Sequence, residues 1–385
     1  MRDVPGTENI YRLPKNRYGV RKKVKGKQIT FGSADNLDDA IYIRDWCKNK
    51  GWTEKYPNLA NRLLFSEDYK LIEKITSERN VSKKTRETYI QTVNHYTRLL
   101  DESLTDLIKV YYDEEYNKHW KERRLKNDLI AYRNYLNNNY LKLTSGAYFK
   151  KMLTIFRHLE IQISYLPKIS DKNVNDLPPI THRDLLTKNN LVDAYNIANP
   201  LMKAVILFES SSGCARRETL NLTVQDYLEA NNINIIDKPV KILLLGVDSS
   251  FVPTFKVKRQ KTNKYYFTYC TPQCNKEILE YLINRDNLTL GSRLFDCNLY
   301  YWNSYYNNIN EELGLGKVRK YNKFRSHMLR KWNASTLYNN GMSINDVDSL
   351  QGRGKDSTHS SYFMEDPELL RQKYMDHMDC LVLEV

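Results

Sequence analysis

The sequence predicts an α+β protein that is mainly helical. Three observations lead there. Period-two alternation of apolar residues is confined to residues 9–34 and 240–269. Helical periods of three to four residues fill 57–165 and most of the chain after 181. Between the helical regions lies LPKISDKNVNDLPPIT, rich in proline and without periodicity. The expected order is a small three-stranded sheet plus a helix (1–56), a helical bundle (57–165), a linker (166–180), and a mixed, mostly α domain with a small antiparallel sheet (181–385).

In the first region Ile10, Tyr11 and Leu13 lead to a turn near Asn16, Tyr18 and Val20 follow, and Gly26 turns the chain into Ile29, Thr30 and Phe31. A helix is expected from about Leu37, capped by Asp35 or Asn36, with Asp38 and Asp39 in its first turn where the helix dipole favours anions, and ended by Gly51. Arg12, Lys15, Arg17, Arg21, Lys22, Lys23, Lys25 and Lys27 decorate the ribbon with no acid between them. A small sheet carrying so many unbalanced cations suits a DNA groove; a merely solvated basic ribbon is the alternative.

The bundle region predicts one helix starting at Ser82 and running through Tyr89, Val93, Tyr96 and Leu100, another from about Leu125 to Leu141, and a third over Tyr148–Ile161. Past the linker, PLMKAVILFE (200–209) reads as a buried helix and Gly213 as a break. KILLL (241–245) reads as a strand, and FKVKRQKTNKYYFTYC (255–270) as a hairpin with Thr262 and Asn263 at its tip. Helices dominate from Pro272, and the closing CLVLEV (380–385) reads as a short apolar strand.

With 385 residues the chain can fill two or three domains. Its 60 Lys and Arg against 46 Asp and Glu leave a formal charge of +14, which points to a polyanion, nucleic acid ahead of a membrane surface. No apolar run approaches the ~20 residues of a membrane span, and MRDVPGTENIYRL lacks the apolar core of a secretion signal. The six cysteines lack histidines at zinc-ligand spacing, so reduced thiols of an intracellular protein and no structural metal are expected. KGK (25–27) and GRGK (352–355) are too short for a phosphate-cradling loop, so no nucleotide cofactor is expected.

Four features of the last two hundred residues carry chemistry. SSGCARRETLNL (211–222) places Arg216 and Arg217 just before Glu218 at the start of a new apolar period. The hairpin carries Lys261. HMLR (327–330) spaces His327 and Arg330 three apart, on one face of a helix. Tyr362 follows a short polar run. Guanidinium forks bond two phosphate oxygens at once, and a tyrosine beside them can serve as a nucleophile.

This order, Arg, hairpin Lys, His-x-x-Arg, Tyr, resembles the tyrosine recombinase (phage integrase) family, most closely integrases of archaeal viruses or proviruses. The resemblance spans nearly the whole chain. It implies an arm-type, AP2-like DNA-binding domain at 1–56, a core-binding domain at 57–165 and a catalytic domain at 181–385. Its catalytic set falls on Arg216, Lys261, His327, Arg330, Arg353 and Tyr362. Two positions depart from the family pattern: Ala215 stands where the first Arg is usual, leaving Arg216 with Arg217 as fallback, and Arg353 in LQGR (350–353) replaces the usual His or Trp. The resemblance further implies a metal-free and ATP-free reaction, double-stranded DNA attachment sites, a monomer that becomes a homotetramer on DNA with CLVLEV coupling subunits or completing its own domain, an accessory factor for excision, and a cytoplasmic, nucleoid-associated protein. A non-catalytic, sequence-specific DNA-binding protein derived from an integrase is the alternative, and a topoisomerase-like relaxation of one duplex is a third reading.

Overall fold

The computed structural model describes residues 4–14, 17–34, 37–56, 63–168, 176–235, 237–260, 263–353 and 366–385. They form two compact units, Met1–Leu177 and Pro178–Val385. The fold is mainly helical with small antiparallel sheets.

The first unit opens with strands β1 (Ile10–Leu13), β2 (Arg17–Val24) and β3 (Lys27–Ala34), paired antiparallel in that order. Ile10 faces Val20 across β1–β2, and a register shift follows Val20 on β2–β3. Helix α1 (Leu37–Asn49) carries Asp38 and Asp39 in its first turn. Its Ala40, Ile43 and Cys47 pack with Val20, Phe31 and Trp52 into a core of their own. Gly51 follows in left-handed conformation. The basic ribbon uses its aromatics as platforms: the Arg21 guanidinium lies 4.3 Å from the Tyr11 ring centre and the Lys22 amine 4.9 Å from that of Trp52.

The same unit continues with α2 (Asp68–Glu78), α3 (Lys83–Leu100), α4 (Leu104–Asn117), α5 (Leu125–Asn139) and α6 (Lys142–His158). Ser82 caps α3, its hydroxyl accepting from the Thr85 N–H at 3.3 Å. Tyr89, Val93, Leu129, Tyr132, Met152 and Phe156 build a separate apolar core. A buried ion pair sits beside it: Arg98 contacts Asp39 at 2.5 Å, Tyr135 donates to Asp39 at 2.8 Å, and Arg98 donates to the Tyr56 hydroxyl at 3.0 Å.

The second unit runs from α7 (Lys188–Asn196) through α8 (Pro200–Ser212), α9 (Arg216–Asn221), α10 (Val224–Ala230) and α11 (Val240–Leu244) to the hairpin β4 (Thr254–Lys258) and β5 (Tyr265–Tyr269). Then come α12 (Pro272–Ile283), α13 (Leu299–Glu312), the short hairpin β6 (Lys317–Val318) and β7 (Tyr321–Asn322), α14 (Ser326–Asn339), α15 (Ile344–Leu350) and α16 (Pro367–Met375). Helix α8 is wrapped on all sides, with Val205, Ile206 and Phe208 fully buried.

Two expectations fail. KILLL is not a strand but part of α11. Val240, Leu243 and Leu244 are its buried residues, a spacing of three and four that one helical face buries as well as a strand would. CLVLEV adds to no sheet. A 3-10 turn covers Met378–Leu381, and Leu381 and Leu383 are buried in the core of their own unit. The Gln273 side chain holds the Leu383 backbone in place of a strand partner, donating to its carbonyl at 2.7 Å and accepting from its N–H at 2.9 Å. Among the described residues no helix is long and apolar enough to cross a membrane.

Candidate active site

Helix α8 ends at Gly213, whose φ of +64° strains any residue with a side chain. An added Cβ would lie 2.4 Å from Asn333 Oδ1 and 2.6 Å from Gln351 Nε2. The chain then turns through Cys214 and Ala215 into α9. Glu218 fixes that start: one carboxylate oxygen accepts from the Ala215 N–H at 3.2 Å and from the Tyr266 hydroxyl at 2.8 Å. Tyr266 comes from β5, whose neighbour Thr268 donates to the Ser212 carbonyl at 2.9 Å. The hairpin is thereby tied to the end of α8.

Helix α14 supplies the opposite wall. Its Arg330 donates from Nη1 to the Gly213 carbonyl at 2.6 Å and from Nη2 to the Gln351 carbonyl at 2.5 Å. Gln351 returns a bond from Nε2 to the Arg330 carbonyl at 3.0 Å and another to Asn333 Oδ1 at 2.8 Å. Asn333 in turn donates to the carbonyls of Ser210 and Ser211. This buried polar network joins the ends of α8 and α15 to α14 and leaves the guanidinium little freedom.

Between these walls opens a cleft of about 850 Å³. Arg216, Arg319, Arg325, His327, Arg330 and Lys331 line it, and among the described residues no acid does. Arg216 reaches it with Nη1 on the Asn303 side-chain oxygen, while its buried Nε has no partner among the described residues. Arg319 donates to the Pro178 carbonyl at 2.9 Å, and Arg325 lies 5.4 Å from the Tyr321 ring centre. His327 stays open to the cleft. Partial desolvation, followed by the charges of Lys331, Arg325, Arg330 and Arg353, holds its imidazole below the usual histidine range. Behind the cleft Glu209 is fully buried, and burial pushes its carboxyl up to about 8. Tyr306 donates to one of its oxygens at 2.9 Å, and the other has no partner among the described residues.

The structure thus brings Arg216, His327 and Arg330 into one cleft. Arg217 is exposed and does not line it. Arg353 is exposed and bonds Asp348 at 3.1 Å, lining an adjoining depression that shares Lys331 with the cleft. Lys261 and Tyr362 lie outside the described residues. Sequence reading did not single out Arg319, Arg325 and Lys331, although the basic run GKVRKYNKFR (316–325) and the residue after Arg330 were visible signals. Asn303, Glu209 and Gln351 carried no local signal, because each acts through partners at least 18 positions away. No group of three or more His, Cys, Asp or Glu side chains among the described residues is placed to hold a metal ion. All six cysteines are unpaired thiols.

A cleft walled by cations without acids is a seat for a phosphate. A neutral imidazole beside it can accept a proton or donate one.

No family model matches the sequence, and no curated protein does. Among solved structures the chain is similar to a lambda integrase tetramer bound to a Holliday junction, at 16% identity and TM-score 0.47, over 95% of this chain and 97% of that one. It is also similar to the XerH site-specific recombinase bound to its difH substrate, at 15% identity and TM-score 0.46, over 86% and 94%. A third is the Tn1549 transposon integrase with transposon right end DNA, at 13% identity and TM-score 0.46, over 80% and 98%. Identities and TM-scores this low assign no activity, so the chemistry of the cleft has to carry it.

Proposed function

We propose that this protein is a site-specific DNA recombinase that cuts and rejoins DNA through a tyrosine, integrating and in the reverse direction excising a mobile or viral genome. The observation that carries the reading is the convergence of Arg216, His327 and Arg330, drawn from segments more than a hundred residues apart, on one cationic cleft that no acid among the described residues lines.

In this reading Arg216 and Arg330 hold the non-bridging oxygens of a phosphodiester and stabilise the charge that grows on them. A phenol has a pKa near ~10 and needs help to ionise at neutral pH. The neutral His327 takes that proton as the Tyr362 oxygen attacks phosphorus. The bond to the 5′ oxygen breaks, leaving a 3′-phosphotyrosyl link, and Lys261 protonates the departing oxygen. Attack by the 5′ hydroxyl of another strand reverses the chemistry and restores a phosphodiester, so no nucleotide hydrolysis is required.

The basic ribbon of the first region would read arm-type DNA sites in the manner of an AP2-like domain, the helical bundle at 57–165 the core site, and 181–385 would hold the chemistry. A homotetramer on DNA, assembled from monomers, follows from exchange between two duplexes, with an accessory factor for excision. An origin in an archaeal virus or provirus, and a cytoplasmic, nucleoid-associated setting, belong to the same reading.

The test uses a pool of short nicked duplexes of random sequence. Intact protein should become covalently attached to a subset of them under denaturing conditions, and Tyr362→Phe should abolish attachment. No adduct with the intact protein would sink the enzyme reading. The ion pair of Arg353 with Asp348, together with Ala215, favours a second reading, a DNA-binding protein without cleavage. That reading predicts retention of specific duplexes without covalent attachment.

A further inference from the structure

One wall of the cleft does more than a phosphate seat requires. Strands β6 and β7 form a hairpin of two residues a side, turned by Arg319 and Lys320. A two-stranded hairpin has little stability of its own in water. Here α13 holds it. The Asn310 side chain donates to the Gly316 carbonyl at 3.1 Å and accepts from the Phe324 N–H at 2.8 Å. Asn322 donates to the Asn307 side-chain oxygen at 2.9 Å, and Val318 is buried. The hairpin is thus fixed at its base and along one side.

Its outer side carries two features that packing does not explain. Arg319 stands at φ +58°, where two-residue turns favour Gly, Asn or Asp. A long side chain kept at such a position calls for a functional reason. Arg319 lines the cleft and donates to the Pro178 carbonyl at 2.9 Å. The second feature is Tyr321. It also lines the cleft, yet it is 55% exposed. The Lys320 amine and the Arg325 guanidinium each lie 5.4 Å from its ring centre. Residues 316–325 hold five Lys and Arg and no acid. An exposed ring among cations suits nucleic acid, because every base offers a face to a ring and every phosphate a charge to a cation.

We propose that Tyr321 is a stacking platform for a DNA base beside the phosphate seated in the cleft, with Lys320 on a neighbouring phosphate. The assignment rests on the DNA-binding part of the reading above and not on cleavage. In an intact duplex each base face is covered by the next base pair. A nick, or a strand leaving the duplex, uncovers one. Tyr321 then covers it, which holds the loosened strand at the cleft. Stacking of this kind tolerates any base, so the hairpin adds affinity at a broken stack and little sequence preference.

The test measures equilibrium binding of the full chain to a nicked duplex enriched from the random pool by retention. Every chain carries Tyr362→Phe, so that only reversible binding is read. Tyr321→Ala should bind about 5- to 150-fold more weakly, the span of one base–aromatic stack. Tyr321→Phe should bind within a few-fold of the parent, since the ring remains. The slope of affinity against salt should stay unchanged in Tyr321→Ala and fall by about 1 in Lys320→Ala, which loses a phosphate contact. A series of duplexes, each lacking one base near the nick, then locates the partner. On one of them, or two neighbours, the Tyr321→Ala penalty should vanish, because ring and base are lost as a pair. Thermal melting checks that the variants fold. Equal losses in Tyr321→Ala and Tyr321→Phe would make the hydroxyl the contact and overturn the proposal. So would an unchanged affinity of Tyr321→Ala, or a penalty that no base removal erases. If the parent chain retains no duplex at all, the DNA reading itself falls.

Discussion

Two buried or half-buried arginines of this chain behave in opposite ways. In the first unit Arg98 is enclosed and charge-paired: Asp39 at 2.5 Å, the Tyr56 hydroxyl at 3.0 Å, and the Tyr42 ring centre 5.1 Å away. In the second unit Arg216 leans on a neutral amide and shares its cleft with further cations and no acid among the described residues. A buried charge with its counter-charge supplied by the chain belongs to the architecture. Charges gathered without one lower the stability of the free protein and become favourable only when an anion arrives.

The contrast can be broken first at Asp39. Asp39→Ala leaves the Arg98 guanidinium buried and uncompensated, which costs about 3–5 kcal/mol. Urea denaturation of the full chain should show a loss of that size, and a loss below about 1 kcal/mol would mean that the pair is not structural.

Arg216→Ala is the counterpart. It should leave stability nearly unchanged and slow covalent attachment by roughly 10²–10³-fold, as removal of one charge-stabilising donor does. Arg217→Ala should stay within a few-fold of the intact protein, since that side chain is exposed and does not line the cleft. The reverse ranking would exchange the two arginines.

Gly213→Ala sharpens the link between the end of α8 and the cleft. A side chain in the left-handed region costs roughly 1–2 kcal/mol. Here it also displaces the amides of Asn333 and Gln351 that support Arg330. A lowered melting temperature and slowed attachment are expected together; destabilisation with full activity would show that the network does not position Arg330.

The smallest effect is the titration of His327. Its pKa in the folded chain lies below the unfolded value near ~6.5. Between the two values the unfolded chain holds a proton that the folded chain does not. Stability contributed by this group is therefore present above the unfolded pKa and is lost as pH falls toward the folded one. Denaturation midpoints across mildly acidic pH should show this slope, and His327→Gln should flatten it. A bound phosphodiester reverses the sign of the local field, so His327 followed by NMR should titrate at higher pH with DNA than without. No shift on binding would place the phosphate elsewhere.

Much of the fold was legible because local patterns and tertiary burial agree. Ser82 announced α3 through its cap, Gly26 the β2–β3 turn, and Gly213 the break after α8. The exceptions are informative. KILLL satisfies a helical face as readily as a strand, and the helix found, opened at Pro239, buries Val240, Leu243 and Leu244. CLVLEV has the composition of a strand, but the Gln273 side chain satisfies the backbone at Leu383 instead.

The sequence by itself determined most of the helix and strand segments, the excess of cations, and the His-x-x-Arg spacing that must share a helical face. Tertiary structure alone decided which of two adjacent arginines lines the cleft, that Arg353 meets Asp348, and that Lys331 lines the cleft with His327. The reason is range. Helix spacing is fixed within a turn, whereas a counter-charge, an amide prop such as Gln351, or the absence of any acid depends on residues that only folding brings together.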